Sequence, residues 1–288
     1  MTSSLKSWRI EFFGGLRARS GELAIERFQT QKTALLLAYL AFYPHRLHSR
    51  ESLIDLLWPD AELDAGRNRL SQALVWLRAR LEPESDLRGR ILVADRQRIS
   101  LNPDAFSTDV AEFRALLKTV GAPDAGAPLS ADQIHALETA VSLYRGDFLD
   151  GFYDEWILDE RRSLATSLTQ ALSLLARAAE HEGQWERALD YTRRALALDP
   201  AAEDLHRDLM RRLVSAGQLD MAARQYRELE HILEREYGAL PSPATSELFR
   251  QIRLSQERLA KEGSSGGENA PSRADKLAPS LPVMLTRF

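Results

Sequence analysis

The sequence of 288 residues contains no cysteine. Disulfides, thiolate zinc sites, iron–sulfur clusters and cysteine nucleophiles are therefore excluded, and a reducing compartment suits the chain. Long apolar runs are missing too. The longest uncharged one, Ala34 to Tyr43, has ten residues. As a helix it covers ~15 Å, about half of a bilayer core, so no segment is expected to span a membrane. The opening MTSSLKSWRIEFF has neither the apolar stretch nor the small-residue cleavage site of a secretory leader. The expected location is the cytoplasm.

Chemical motifs are equally scarce. There is no Gly-x-x-x-x-Gly-Lys-Ser/Thr phosphate loop and no Gly-x-Gly-x-x-Gly turn. His45 and His48 flank a proline-led turn without a third ligand nearby, which reads as a surface pair rather than a metal site. The acidic and aromatic stretch Asp147 to Trp156 fails the calcium-loop pattern, because Leu149 and Gly151 stand where ligands belong. It reads as a packed, capped junction between helices. No catalytic residue, cofactor or metal site is expected.

What is present is a globular composition, 44% hydrophobic and 28% charged, with enough apolar material for a core. The overall charge of −4 divides unevenly: residues 1–108 carry a net +3 and the remainder a net −7. Between Arg67 and Arg98 lie eight arginines, no lysine and four acids. The planar guanidinium fork suits phosphates and guanine edges, so the first third is where a polyanion is expected.

The first thirty residues read as strands: Trp8 to Phe13, Leu16 to Ala18 and Leu23 to Ile25, with a turn at Ser20-Gly21. A helix follows from Thr30 to Pro44, a second after the N-cap Ser49 to Trp58-Pro59, and a third from the candidate cap Asp64 to about Glu82. On the third, Leu70, Ala73, Leu74, Leu77 and Leu81 form one buried stripe. Asn68, Gln72, Val75 and Ala79 fall opposite, flanked by Arg67, Arg69, Ser71, Trp76, Arg78 and Arg80. That face offers groups able to bond purine edges and phosphates, and the small Val75 and Ala79 allow close approach. Ile91 to Val93 and Ile99 to Leu101 then make a hairpin with Arg96 and Arg98 at its tip. Together these elements form a winged helix-turn-helix.

The second part reads as helical. Gly183-Gln184 with Ala188 matches Gly217-Gln218 with Ala222 at a period of 34 residues, and Asp199-Pro200 marks the turn between. Turn glycine, small residue at the helix crossing and proline at the next turn describe tetratricopeptide-like pairs at about 169–202 and 203–236. Flanking helices are expected near 131–145, 152–168 and 243–260. The fold class is thus mainly α with a small β component, a winged helix followed by an all-α tetratricopeptide-like domain. The domains read as 1–108, 109–262 and a Gly/Ser/Pro-rich linker, 263–288, leading to a further C-terminal module.

The run Ser49-Arg50-x-x-Leu53-Ile54-x-x-Leu57-Trp58-Pro59-Asp60, followed by Arg67-Asn68-x-Leu70-x-x-Ala73-Leu74-x-x-Leu77-Arg78, resembles the OmpR-like winged helix of the Streptomyces antibiotic regulatory protein family. Thr108-Asp109-Val110-x-x-Phe113, Tyr144-x-Gly146-Asp147-Phe148-Leu149, Trp156-Ile157-x-x-Glu160-Arg161 and Leu198-Asp199-Pro200-x-x-Glu203-x-x-His206-Arg207 are similar to its bacterial transcriptional activator domain. The resemblance implies an activator that binds direct-repeat promoter DNA as two protomers side by side and contacts RNA polymerase and its sigma factor. In the larger members a nucleotide-binding ATPase follows, and Leu281 to Phe288 looks like the lead-in to it. Carried over by position, Arg67, Asn68, Ser71, Gln72 and Trp76 face the major groove, Arg69, Arg78 and Arg80 the phosphates, and Arg96 and Arg98 the minor-groove side. Trp76 departs from the small or basic residue of many relatives, so base preferences do not transfer. The competing readings are a protein-interaction scaffold that reads no DNA and, more remotely, an enzyme with an unrecognised pocket.

Overall fold

Alternation of apolar and polar residues in Trp8–Glu11 buries Trp8 and Ile10 on one face and makes this segment, β1, an inner strand. In the computed structural model, which describes residues 7–84, 87–121 and 127–265, β1 pairs antiparallel with β2 (Arg17–Ser20), and β2 with β3 (Leu23–Ile25). On its other side β1 pairs in parallel with a later strand, Phe106–Thr108, placing Ile10 opposite Thr108. A parallel neighbour requires a long crossover. Here the crossover is the whole helix-turn-helix and hairpin.

Helix α1 (Gln31–Phe42) starts at Thr30, whose side chain accepts from the Thr33 amide. Thr33 to Ala41 is buried apart from Tyr39, so this helix runs through the core rather than over it. Ser49 caps α2 (Arg50–Leu57) by accepting from the Ser52 amide, as expected. The cap of α3 (Leu63–Leu81) differs from expectation: Glu62 stands at the N-cap without a side-chain bond. Asp64 instead sits in the first turn, 3.2 Å from the Arg67 guanidinium, where a carboxylate is favoured by the helix dipole. A second sheet, in the order β4 (His48–Ser49), β6 (Arg98–Leu101), β5 (Leu92–Ala94), completes the winged helix-turn-helix; the Phe106–Thr108 strand is then β7.

His48 and His45 are not a surface pair. His48 is buried against the rings of Tyr39 and Tyr43 while His45 is exposed. Burial and the nearby Arg46 charge hold the His48 imidazole below its usual pKa, partly offset by a hydrogen bond to the Tyr43 backbone. Among the described residues no cluster of three metal-ligating side chains occurs, and no helix is long and apolar enough to cross a membrane.

Thr108 caps α4 (Asp109–Val120), which packs on α5 (Ala131–Leu143). The next helix, α6, runs unbroken over Glu155–His181. The expected break near 168 is absent, because no Gly or Pro interrupts the segment. It pairs with α7 (Trp185–Leu198). The chain divides into two compact units, Met1–Leu205 and His206–Phe288. In the second, α8 (Glu203–Ser215, from His206 on) precedes α9 (Leu219–Tyr237) and α10 (Pro243–Ser265). There Tyr226 stacks on Phe249 at 4.1 Å, and the wholly buried His206 ring meets the Gln225 amide at 2.9 Å. The two repeat glycines have matching geometry. Gly183 and Gly217 both have positive φ, and the glutamine after each donates its amide to the carbonyl five residues back, at 2.8 Å. Ala188 and Ala222 are fully buried. The first three residues of the expected linker belong to α10, and 266–288 lie outside the described residues.

The junction after β7 depends on one carboxylate. Asp109, buried, accepts the amides of Phe12, Phe13 and Val110 at 2.8–3.0 Å. Burial pushes its pKa up and the three amides draw it down, with burial the larger effect. The expected packed junction at Asp147 to Trp156 lies alongside: the Leu149 amide donates to the Phe12 carbonyl, and Arg161 donates to the carbonyls of Phe148, Leu149 and Phe152. Phe12, Phe42, Phe148 and Trp156 make ring contacts with centroids 5.2–6.1 Å apart.

Two stability predictions follow from this packing. Asp109→Ala strands the buried Phe12 and Phe13 amides and should cost roughly 2–4 kcal/mol in urea unfolding, with Asp109→Asn milder because one acceptor oxygen remains. A Cβ at Gly66 on α3 would lie 2.4 Å from Cγ2 of Ile54 on α2. Gly66→Ala should therefore destabilise by about 1–3 kcal/mol despite its better helix propensity. Adding Ile54→Ala should relieve the clash, so the double change costs less than the two single changes summed.

Candidate nucleic-acid interface

Helix α3 owes its exposure pattern to a single apolar stripe. Gly66, Leu70, Ala73, Leu74, Leu77 and Leu81 are buried, while Arg67, Asn68, Arg69, Ser71, Gln72, Val75, Ala79 and Arg80 are exposed. The missing side chain at Gly66 lets α2 approach closely enough to fix the angle at which that outer face is presented. A solvent-facing row of amide, hydroxyl and guanidinium groups results, with Val75 near its centre.

The expected site residues do not all stand free on that face. Arg67 pairs with Asp64, and the Ser71 hydroxyl donates to the Arg67 carbonyl at 2.8 Å. Trp76 is half-buried, packed on Phe28 at 5.8 Å, and the Arg80 guanidinium lies over its ring at 5.4 Å. Arg78 turns toward the wing: it donates to the Leu92 carbonyl at 3.1 Å and lies 3.3 Å from the carboxylate of Glu82. Arg69 borders a groove shared with Lys32, Trp58 and Asp60. Asn68 and Gln72 are exposed, and the structure records no protein partner for either side chain.

Glu82, which the sequence marks only as the end of the third helix, builds the root of the wing. Its side chain is fully buried and accepts the amides of Gly89, Ile91 and Leu92 at 2.8–3.0 Å. As an acid directly before a proline it reads as a helix end, and only the folded loop shows its three donors. The tip is organised by Asp95, whose carboxylate takes the Gln97 and Arg98 amides at 2.6 Å. Those two bonds hold its pKa below the usual carboxylate range. Arg50 reaches across from α2 to the Asp95 carbonyl. Arg96 and Arg98 are exposed at this tip. Gln31 and Lys32 face elsewhere, toward the Gly151 carbonyl and Asp154.

The comparisons agree with this architecture. The solved structure of Mycobacterium tuberculosis EmbR in complex with a low affinity phosphopeptide has the same fold, with a TM-score of 0.70 at 22% identity over 91% of this chain and 70% of that one. A structure of MamA, at 17% identity over 52% of this chain and 89% of that one, has a TM-score of 0.23, too low to bear on the fold. No curated protein matches the sequence. The family model for the bacterial transcriptional activator domain matches residues 108–253, half of the chain. The chain therefore belongs to the bacterial transcriptional activator domain family and is a transcriptional activator of the Streptomyces antibiotic regulatory protein kind.

Proposed function

We propose that this activator reads direct-repeat promoter DNA with α3 and the β5–β6 wing, two protomers lying side by side, and contacts RNA polymerase and its sigma factor through its helical part. Residues 1–108 carry the DNA reading, 109–262 the activation, and the protein works in the cytoplasm. The observation that carries this reading is the outer face of α3, polar, arginine-rich and exposed along its length, beside a wing tip bearing Arg96 and Arg98. A major groove admits one helix, and an exposed side-chain amide such as Gln72 bonds an adenine edge bidentately. Arg69 and Arg80 suit phosphates, and Arg96 and Arg98 the minor-groove side. Arg67, Asn68 and Ser71 line the groove beside Gln72. Half-buried Trp76 flanks that face, and Arg78 steadies the wing through its contacts with Leu92 and Glu82.

The test is selection of duplexes from a random library by the full chain, repeated with two variants. An enriched motif repeated at near-helical-turn spacing is expected. Gln72→Ala should cost about 1–3 kcal/mol at one base position per repeat and little elsewhere. Arg96→Ala should weaken all sequences alike and lower the slope of log affinity against log salt by about one. Gln72→Ala weakening every sequence equally would remove the base-reading role. No enrichment at low salt would leave a protein-interaction scaffold as the better reading.

A further inference from the structure

On an otherwise polar helix face, Val75 is 70% exposed. Among the described residues it and Leu63, in the first turn, are the large apolar side chains that α3 leaves open to water. Nothing in the helix itself favours valine there. A β-branched residue is a poorer helix former than alanine or leucine, and exposed apolar surface gains nothing from the fold. Its neighbours one turn away are Ser71, Gln72 and Ala79, all exposed. Arg78 is drawn off toward Leu92 and Glu82. Val75 and Ala79 thus form a small apolar patch directly beside the amide of Gln72.

The major groove has one apolar feature, the 5-methyl group of thymine. Valine suits it well, because its side chain holds a single preferred rotamer in a helix and loses little freedom on docking. Resting on the reading of α3 as the DNA-reading helix, we infer that Val75 is a specificity-determining residue that packs on a thymine methyl group next to the base pair read by Gln72. The same contact accepts a 5-methylcytosine, which presents the methyl at the equivalent place in the groove. Cytosine and uracil lack it.

The experiment uses the full chain and duplexes of its selected motif in which each dT is replaced singly by deoxyuridine, a change that removes only the methyl group. For the unaltered protein, one thymine per repeat should lose about three- to five-fold in affinity, the size expected of one methyl taken from water. Val75→Ala, which favours the helix and so keeps the fold, should bind dT and deoxyuridine equally at that position. Its salt dependence should not change, since no phosphate contact is lost. An equal dT-to-deoxyuridine ratio for the two proteins at every position, or thymine methyls that are all dispensable, overturns the contact while leaving sequence reading intact. A chain that prefers no duplex over another overturns the DNA reading as well.

Discussion

The buried Asp109 carboxylate decides where the strands end and the helices begin. By holding the amides of Phe12 and Phe13 it ends β1 in a fixed orientation and starts α4 at the same point. That bond set brings β7 alongside β1, since Thr108 pairs with Ile10 one residue before the carboxylate. It also aims Phe12 at Phe42 and Phe148, and Phe13 at Phe113 and Tyr144. Burying a carboxylate is costly in itself, and three convergent amides offset that cost. The close passage of Gly14 by Gly146, with a Cβ at Gly146 only 3.0 Å from the Gly14 Cα, depends on the same alignment.

A consequence is that the winged helix is not sealed at residue 108. Part of its core is completed by residues from the Asp147 to Trp156 stretch, which the compact unit Met1–Leu205 includes. The Gly14 amide donates to the Asp147 carbonyl, and Phe13 pairs with Phe148 as an isolated bridge. Leu149 takes a positive φ of 48°, an unfavourable conformation for leucine, while wholly buried. Such strain persists only where surrounding contacts outweigh it, here the bonds of Arg161 to three carbonyls and of the Leu149 amide to Phe12.

Local pattern explains which parts were legible in the sequence. The apolar stripe of α3, the Ser49 cap, the hairpin of β5 and β6 and the repeated turn glycines depend on residues within a few positions of one another. β7 was not legible, because its partner lies on the far side of a crossover and three residues carry little periodicity of their own. The role of Asp109 was hidden similarly, its amide donors Phe12 and Phe13 being 97 and 96 residues away. Gly66 reads as a helix-weakening residue until Ile54 is seen against it. A repeat period of 34 residues predicts a helix boundary near 168 that the uninterrupted helix-forming sequence of α6 does not contain. In each case the deciding contact is distant in sequence, or local helix propensity outweighs the repeat period.

The same distinction divides the arginines of the candidate interface. Eight arginines between positions 67 and 98 suggest a strongly cationic surface. Their environments divide them. Arg78 is occupied by Leu92 and Glu82, Arg80 lies on the Trp76 ring and Arg67 is paired with Asp64. The Arg67 pair is exposed and such pairs are weak, so its guanidinium can be recruited by another anion at little cost. The Arg78 interaction is different, because Glu82 is fully buried and also anchors three wing amides. Withdrawing Arg78 toward a phosphate would leave that carboxylate without its cation. Arg78 therefore serves the placement of the wing, while the cationic character of the surface comes from the arginines that the fold has left exposed.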